Sequence, residues 1–362
     1  MSDSKNNLKT GYTTGSSATA AAKAGLLSII NQQRIEKTDI LLPKGNSIQI
    51  PVFSCEFEKD KAKCSVIKNG GDDPDVTHGA EIIVDISFIE KIDEIEIDGG
   101  EGVGIVTKPG LGLEINKAAI NPVPKKMIIE NLREIGSEVL QKKGIKVLVS
   151  VPKGKELGTK TDNPRLGIKG GISILGTSGI VIPFSTAAFA ASIRQSLDVT
   201  IAMGDDTVVL TTGGRSEDFS KQIIDLPDHC FVQMGDFSGY SVQQCNKKNI
   251  KKAYVVGFIG KFAKMATGVK QTHVKGSKVD MTFLAELAKK INVDETVIEK
   301  IKKANTARHV SEIIQENNIN GFFELVCNQV YEHMRKHGEN KVRIEVILFD
   351  FDGKVMSRKS QE

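Results

Sequence analysis

Residues 207–217 read TVVLTTGGRSE, and this stretch decides the architecture of the second half of the chain. A run of β-branched and aliphatic residues predicts a short strand, the pair Gly213 and Gly214 a tight turn, and the residues from Arg215 onward a helix. The runs CFVQM from Cys230 and KAYVVG from Lys252 repeat the strand signature, with helices expected near Ser216, Ser238 and Lys261. Such alternation specifies a three-layer, Rossmann-like α/β unit built on a parallel sheet. Upstream, Phe189, Ile193, Leu197 and Ile201 fall at helical spacing, and Gly204 supplies the stop.

Toward the N-terminus the pattern changes. Ser16 or Ser17 is placed to cap a helix running to about Ile30, whose first half is almost all alanine and so requires very close packing. Between Asp39 and Ile97 short alternating runs (SIQIPVF, KCSVI, EIIVDISFI, IDEIEI) predict strands joined by tight turns. A helix is expected over 126–144 and a strand over 146–151. Without strict strand–helix alternation, this half reads as an α+β domain. The stretch NPRLGIKGGISILGTSGIVIP, residues 163–183, places five glycines between β-branched runs. Glycine at that density lets backbone approach a ligand or lets two elements cross tightly, and no nucleotide-binding fingerprint can be read through it. At the other end, Ile319, Phe322, Phe323, Val326, Val330 and Met334 form a helical core stripe, and VRIEVILF from Val342 an alternating strand. The expected domains are thus 1–184 (α+β), 185–295 (Rossmann-like) and 296–362 (a helix and strand extension).

A chain of 362 residues, 40% hydrophobic and 26% charged, has the composition of an ordinary globular protein with room for two cores. The net charge of +4 is spread along the chain, and with no tryptophan and 5% aromatics a nucleic-acid partner is not expected. Five cysteines without a C-x-x-C pair suggest neither a zinc site nor a disulfide framework, so no metal ligand set is assigned. The polar N-terminus lacks a signal-peptide core and no apolar run approaches membrane-spanning length, which predicts a cytoplasmic protein with no membrane partner. Oligomeric state is not legible.

In order along the chain, GYTTGSSATAAAKAG (from Gly11), GDDPDVTHGAEI (from Gly71), GGEGVGIVTKPGL and AINPVPKKMI (within 99–128), the 163–183 stretch and GFIGKFAKMATGVKQTH (from Gly257) resemble the signature blocks of the CbiD family. The resemblance runs from about Leu8 to about Ala288. It implies methyl transfer from S-adenosylmethionine to ring carbon 1 of a carboxylate-rich corrinoid precursor, with cobalt carried by the substrate. It also favours donor binding by the 185–295 domain, at Gly213 and Gly214, which the motif alone reads as a plain tight turn, joined by Asp236, which equally reads as a helix N-cap, and Gly257 at the ends of the next two strands. One departure is Phe258, where family members often show histidine.

Asp72, Asp73 and Asp75 surround a proline turn; crowding would raise one carboxyl toward a general base, while turn hydrogen bonding explains them as well, and a metal is a weaker third reading. Thr13, Thr14 and Ser16 stand beside the free N–H groups of a helix start, a natural anion cradle. Lys261 and Lys264, one turn apart, either meet substrate carboxylates or form a solvated face. Lys108, Lys125, Lys126, Lys160 and Arg165, in or beside the glycine- and proline-rich blocks, are expected to read the acid groups of the macrocycle. His273 is the further candidate for proton removal. ILFDFDG at 347–353 resembles a phosphatase nucleophile strand, but Lys354 stands where that motif needs threonine, so an Asp-Gly turn is the better account. The rival functions are a nicotinamide-dependent corrinoid reductase, which would need the G-x-G-x-x-G turn that TTGGRSE lacks, and a non-catalytic corrinoid-binding protein.

Overall fold

The computed structural model describes residues 8–273 and 276–361. It is a mixed α/β structure in two compact units, Met1–Thr186 and Ala187–Glu362. No described helix is long and apolar enough to cross a membrane.

The first unit is built on a five-stranded sheet in the order Ser54–Phe57, Lys61–Ile67, Glu81–Ile89, Gly144–Ser150, Ile95–Gly99. All pairs are antiparallel except the last. The helix Thr14–Asn31 packs on this sheet and against the helix Pro122–Leu140. Its alanines Ala18, Ala20, Ala21, Ala22 and Ala24 are fully buried, which the close packing of two neighbours demands. The cap is Thr13, one turn earlier than the serines, because its hydroxyl accepts the Ser16 N–H at 3.1 Å.

The glycine-rich stretch of this unit is a crossing of backbones. A Cβ on Gly171 would lie 2.1 Å from the carbonyl oxygen of Gly102, and one on Gly154 2.0 Å from the same oxygen. Backbone hydrogen bonds run through the gap, from Ile172 N–H to the Gly102 carbonyl at 3.0 Å and from Gly104 N–H to the Ile172 carbonyl at 2.9 Å. Of the two uses of dense glycine, tight crossing is the one realised here.

The second unit carries a five-stranded sheet in the order Phe231–Gln233, Thr207–Thr211, Lys252–Phe258, Arg343–Phe349, Val355–Ser360. The first three pairings are parallel and the last is antiparallel. In chain order this is 2-1-3-4-5, so the sheet reverses direction of growth between its first and third strands. The residues after 296, expected as an extension, complete this unit. Arg343–Phe349 is hydrogen-bonded along the whole of Lys252–Phe258, and Phe322, Val326, Val330 and Met334 belong to the same apolar core as Val208, Leu210 and Val255. Burial of that stripe outweighs its separation in sequence. All five cysteines are buried thiols. Burial pushes Cys245 and Cys327 up to about 12.

Candidate functional site

In the second unit a cavity of about 670 Å³ opens at the carboxyl ends of the parallel strands, lined by the turn after the first strand, the start of helix Ile259–Met265, and the hairpin tip at Phe351. This is the topological switch point, where neighbouring connections leave in opposite directions and a crevice forms without any special sequence. Thr212, Gly213 and Gly214 form one wall. A Cβ on Gly213 would meet nothing within 4 Å, and one on Gly214 only the Gln233 side chain at 3.9 Å, so this turn is open where Gly167, Gly171, Gly176 and Gly179 are closed. Ser216 holds the turn: its hydroxyl accepts the Gly213 N–H at 3.1 Å and donates to the Gly213 carbonyl at 2.8 Å.

Both lysines of the GKFAKM helix line the cavity, and Lys264 is buried there instead of standing on a solvated face. Lys261 donates to the Thr212 carbonyl at 2.9 Å and lies 3.4 Å from Asp236. Lys264, only 8% exposed, donates to the Thr272 carbonyl at 2.9 Å. Thr272 in turn donates to Asp236 at 3.0 Å, so the carboxylate and both ammonium groups form one chain of contacts with the segment bearing His273, another lining residue. With Arg215 the lining holds three cations against one carboxylate. The remaining wall is aromatic. Phe258 and Phe351 stack at 5.3 Å with an interplanar angle of 7°, and the Arg215 guanidinium lies 5.6 Å from the Phe258 ring while donating to the Phe351 carbonyl. A partly enclosed, net positive pocket with a flat apolar wall suits an anionic ligand that carries a planar group.

Six residues expected from sequence therefore meet: Gly213, Gly214, Asp236, Lys261, Lys264 and His273. Gly257 does not join them; a Cβ there would strike the Thr212 side chain at 2.6 Å, so its small size serves packing. Arg215 and Phe351 are lining residues that the sequence did not single out, and Phe258, noted there only as a departure from the family pattern, joins them. Arg215 stands inside the TTGGRSE turn, but Phe351 reaches the cavity only through strand pairing.

The first-unit candidates are occupied structurally. Thr14 donates to the Ser173 carbonyl at 3.1 Å and accepts the Leu175 N–H at 2.9 Å, and Ser16 donates to the Gly179 carbonyl at 2.7 Å. The helix's own N–H groups at Thr13 and Gly15 donate to the Gly179 and Leu175 carbonyls. The expected anion cradle is thus filled by the chain's own loop, with Thr13 as cap. The three aspartates are engaged separately. Asp72 accepts the Lys9 N–H at 2.6 Å, Asp73 the Phe184 N–H at 2.8 Å, and Asp75 pairs with Lys68 at 2.6 Å. Burial alone would raise the Asp75 carboxyl, but the Lys68 ammonium and the Thr77 N–H and hydroxyl outweigh it and hold it below the usual range. That is opposite to what a general base needs, and it corrects the reading of Asp75 as one. Lys126 and Lys160 make exposed ion pairs with Glu130 and Glu156, Arg165 pairs with Asp162, and Lys108 donates to the Arg165 carbonyl, while Lys125 is half-buried at the start of its helix. Asp350 closes the C-terminal hairpin by accepting the Asp352 and Lys354 N–H groups, as an Asp-Gly turn does.

The CbiD family model matches residues 1–183, and the model of the CbiD C-terminal domain matches residues 271–360. The chain belongs to the CbiD family. Among CbiD relatives, the cobalt-precorrin-5B C(1)-methyltransferase of Priestia megaterium is 44% identical over 98% of this chain and 96% of that protein. The protein of the same name from Geobacillus kaustophilus is 48% identical over 90% of this chain and 87% of its own length. A crystal structure of a CbiD cobalamin biosynthesis protein from Archaeoglobus fulgidus covers 86% of this chain and 85% of its own, at 25% identity and a TM-score of 0.39.

Proposed function

We propose that this chain is a cobalt-precorrin-5B C(1)-methyltransferase, moving the methyl group of S-adenosylmethionine to ring carbon 1 of cobalt-precorrin-5B to give cobalt-precorrin-6A in anaerobic cobalamin biosynthesis. The observation that carries this reading is near-full-length identity of 44% to a CbiD relative of that name. Cobalt belongs to the substrate.

The second unit, read as Rossmann-like from its 2-1-3-4-5 strand order, is the donor-binding domain. The sulfonium already activates the methyl group, so the reaction is a displacement: ring carbon 1 supplies the electron pair, and the carbon–sulfur bond breaks to leave neutral S-adenosylhomocysteine. The protein's work is alignment and exclusion of water. Gly213 and Gly214 give the donor close access to the turn, Lys261 and Lys264 attract a carboxylate, and the Phe258–Phe351 face takes a flat ring. His273 and Asp236 are the groups in this cavity able to accept a proton, with Asp72 and Asp73 as the first-unit alternatives. Lys108, Lys125, Lys126, Lys160 and Arg165 are the first-unit cations assigned to the acid side chains of the macrocycle.

The donor site is tested by Gly214→Val. A Cβ at Gly214 meets no backbone within 4 Å, so the variant is expected to fold while its side chain fills the cavity. Calorimetric titration with S-adenosylhomocysteine is expected to show affinity reduced at least about tenfold, or about 1.4 kcal/mol. Unchanged affinity in the folded variant removes the donor from this cavity.

A further inference from the structure

A second cluster of ligand-type side chains stands at the opposite, amino-terminal edge of the second unit's sheet. Asp205 lies in the turn between helix Thr186–Ala202 and strand Thr207–Thr211, while His229 and Cys230 belong to the single helical turn Asp228–Cys230 that enters strand Phe231–Gln233. These strands are parallel hydrogen-bonded neighbours, so the segments leading into them meet. One carboxylate oxygen, one ring nitrogen and one sulfur of the three residues lie within 4.8 Å of one another, and His229 Nε2 is 2.6 Å from Asp205 Oδ2. Tetrahedral zinc, with bonds of about 2.0–2.3 Å, places its donor atoms about 3.3–3.8 Å apart. Shifts of about an ångström would therefore close this group around an ion.

The surroundings fit such a site. His229 and Cys230 are 8% and 0% exposed, whereas the Asp205 side chain is 34% exposed, which leaves an open side for a fourth ligand from solvent. Thr200 fixes both arms: its hydroxyl donates to the His229 carbonyl at 2.6 Å, and its own carbonyl accepts the Asp205 N–H at 3.2 Å. Thiolate and imidazole together select a borderline-soft ion over magnesium or calcium. A thiolate and a carboxylate balance two positive charges. No cysteine spacing announces the site, because Asp205 and the His-Cys pair come from separate connections.

We infer that Asp205, His229 and Cys230 bind one zinc-class divalent ion, which staples the two connections at the edge of the sheet remote from the cavity. Binding releases the Cys230 thiol proton and replaces the direct Asp205–His229 contact with two metal bonds. The test uses untagged full-length protein freed of metal by chelator dialysis, titrated with zinc by calorimetry and with Co²⁺ by absorbance. The expected result is one ion per chain, a thiolate-to-cobalt charge-transfer band that Cys230→Ser abolishes, and a melting temperature raised by zinc. Asp205→Asn, in a part-exposed turn and so expected to fold even if the cysteine variant does not, should weaken zinc at least about tenfold and lose the thermal shift. A missing cobalt–thiolate band, or zinc affinity equal in wild type and Asp205→Asn, overturns the site; binding with no thermal shift overturns the staple.

Discussion

Lys68 is one of the largest fully buried side chains, and the only carboxylate paired with it among the described contacts is Asp75. Asp75→Asn keeps the shape and can still accept from Thr77, but it leaves a buried ammonium without its counter-charge. A fully buried pair costs about 3–5 kcal/mol to break in this way. Because Asp75 retains about a quarter of its exposure, the expected loss is smaller, about 2 kcal/mol. Asp72→Asn and Asp73→Asn should be near neutral, since an amide oxygen accepts a backbone N–H as a carboxylate does. Chemical denaturation of the three variants checks the ranking. The sign with pH follows from the depressed Asp75 carboxyl: its stabilisation is complete above the ordinary carboxylate pKa of 3.8 and is lost as acid carries the pH down through the lower folded value. Asp75→Asn should therefore flatten the acid limb of the stability curve below about pH 4. The sequence showed three carboxylates at one proline turn; it could not show that Lys68, just after the strand Lys61–Ile67, reaches one of them.

At the scale of elements, the two glycine clusters make opposite predictions. Gly171→Ala drives a Cβ into the Gly102 backbone, which has no flexible end to yield. It should cost about 3 kcal/mol or more, at the upper end of overpacking effects. Gly213→Ala enters open space with φ near the extended region, and should leave stability within about 0.5 kcal/mol. Thermal unfolding of the two variants decides between them. Both clusters are glycine-rich in the sequence, so composition alone could not separate packing from access. The βα turn at 211–217 was legible because strand, glycine pair and helix start are consecutive. The aromatic wall was not, since Phe258 and Phe351 come together only after Arg343–Phe349 pairs with Lys252–Phe258. Helix caps were nearly legible: Thr13 and the two serines differ by a turn, and only the hydroxyl geometry selects the threonine.

For the molecule as a whole, the C-terminal strands are part of the second unit's core. A chain ending at residue 338 loses Arg343–Phe349 and Val355–Ser360, which bares the edge of Lys252–Phe258 and strips the helix Phe322–His337 of the two strands it packs against. Such a truncation should abolish cooperative folding of residues 187–338, seen as rapid limited proteolysis confined to that half. Retention of a protease-resistant second unit would return the tail to the status of an extension.

The burial of every cysteine turns the protein into its own clock. A thiol at about 12 inside an apolar core presents almost no nucleophile at neutral pH, so alkylating reagents must wait for the surrounding structure to open. Cys55 and Cys64 report on the first unit, Cys245 and Cys327 on the second. Mass-resolved labelling in mild denaturant should then yield two families of rates, one for each half of the chain, with no probe attached to either. A single shared rate at all four positions would mean that the halves open together.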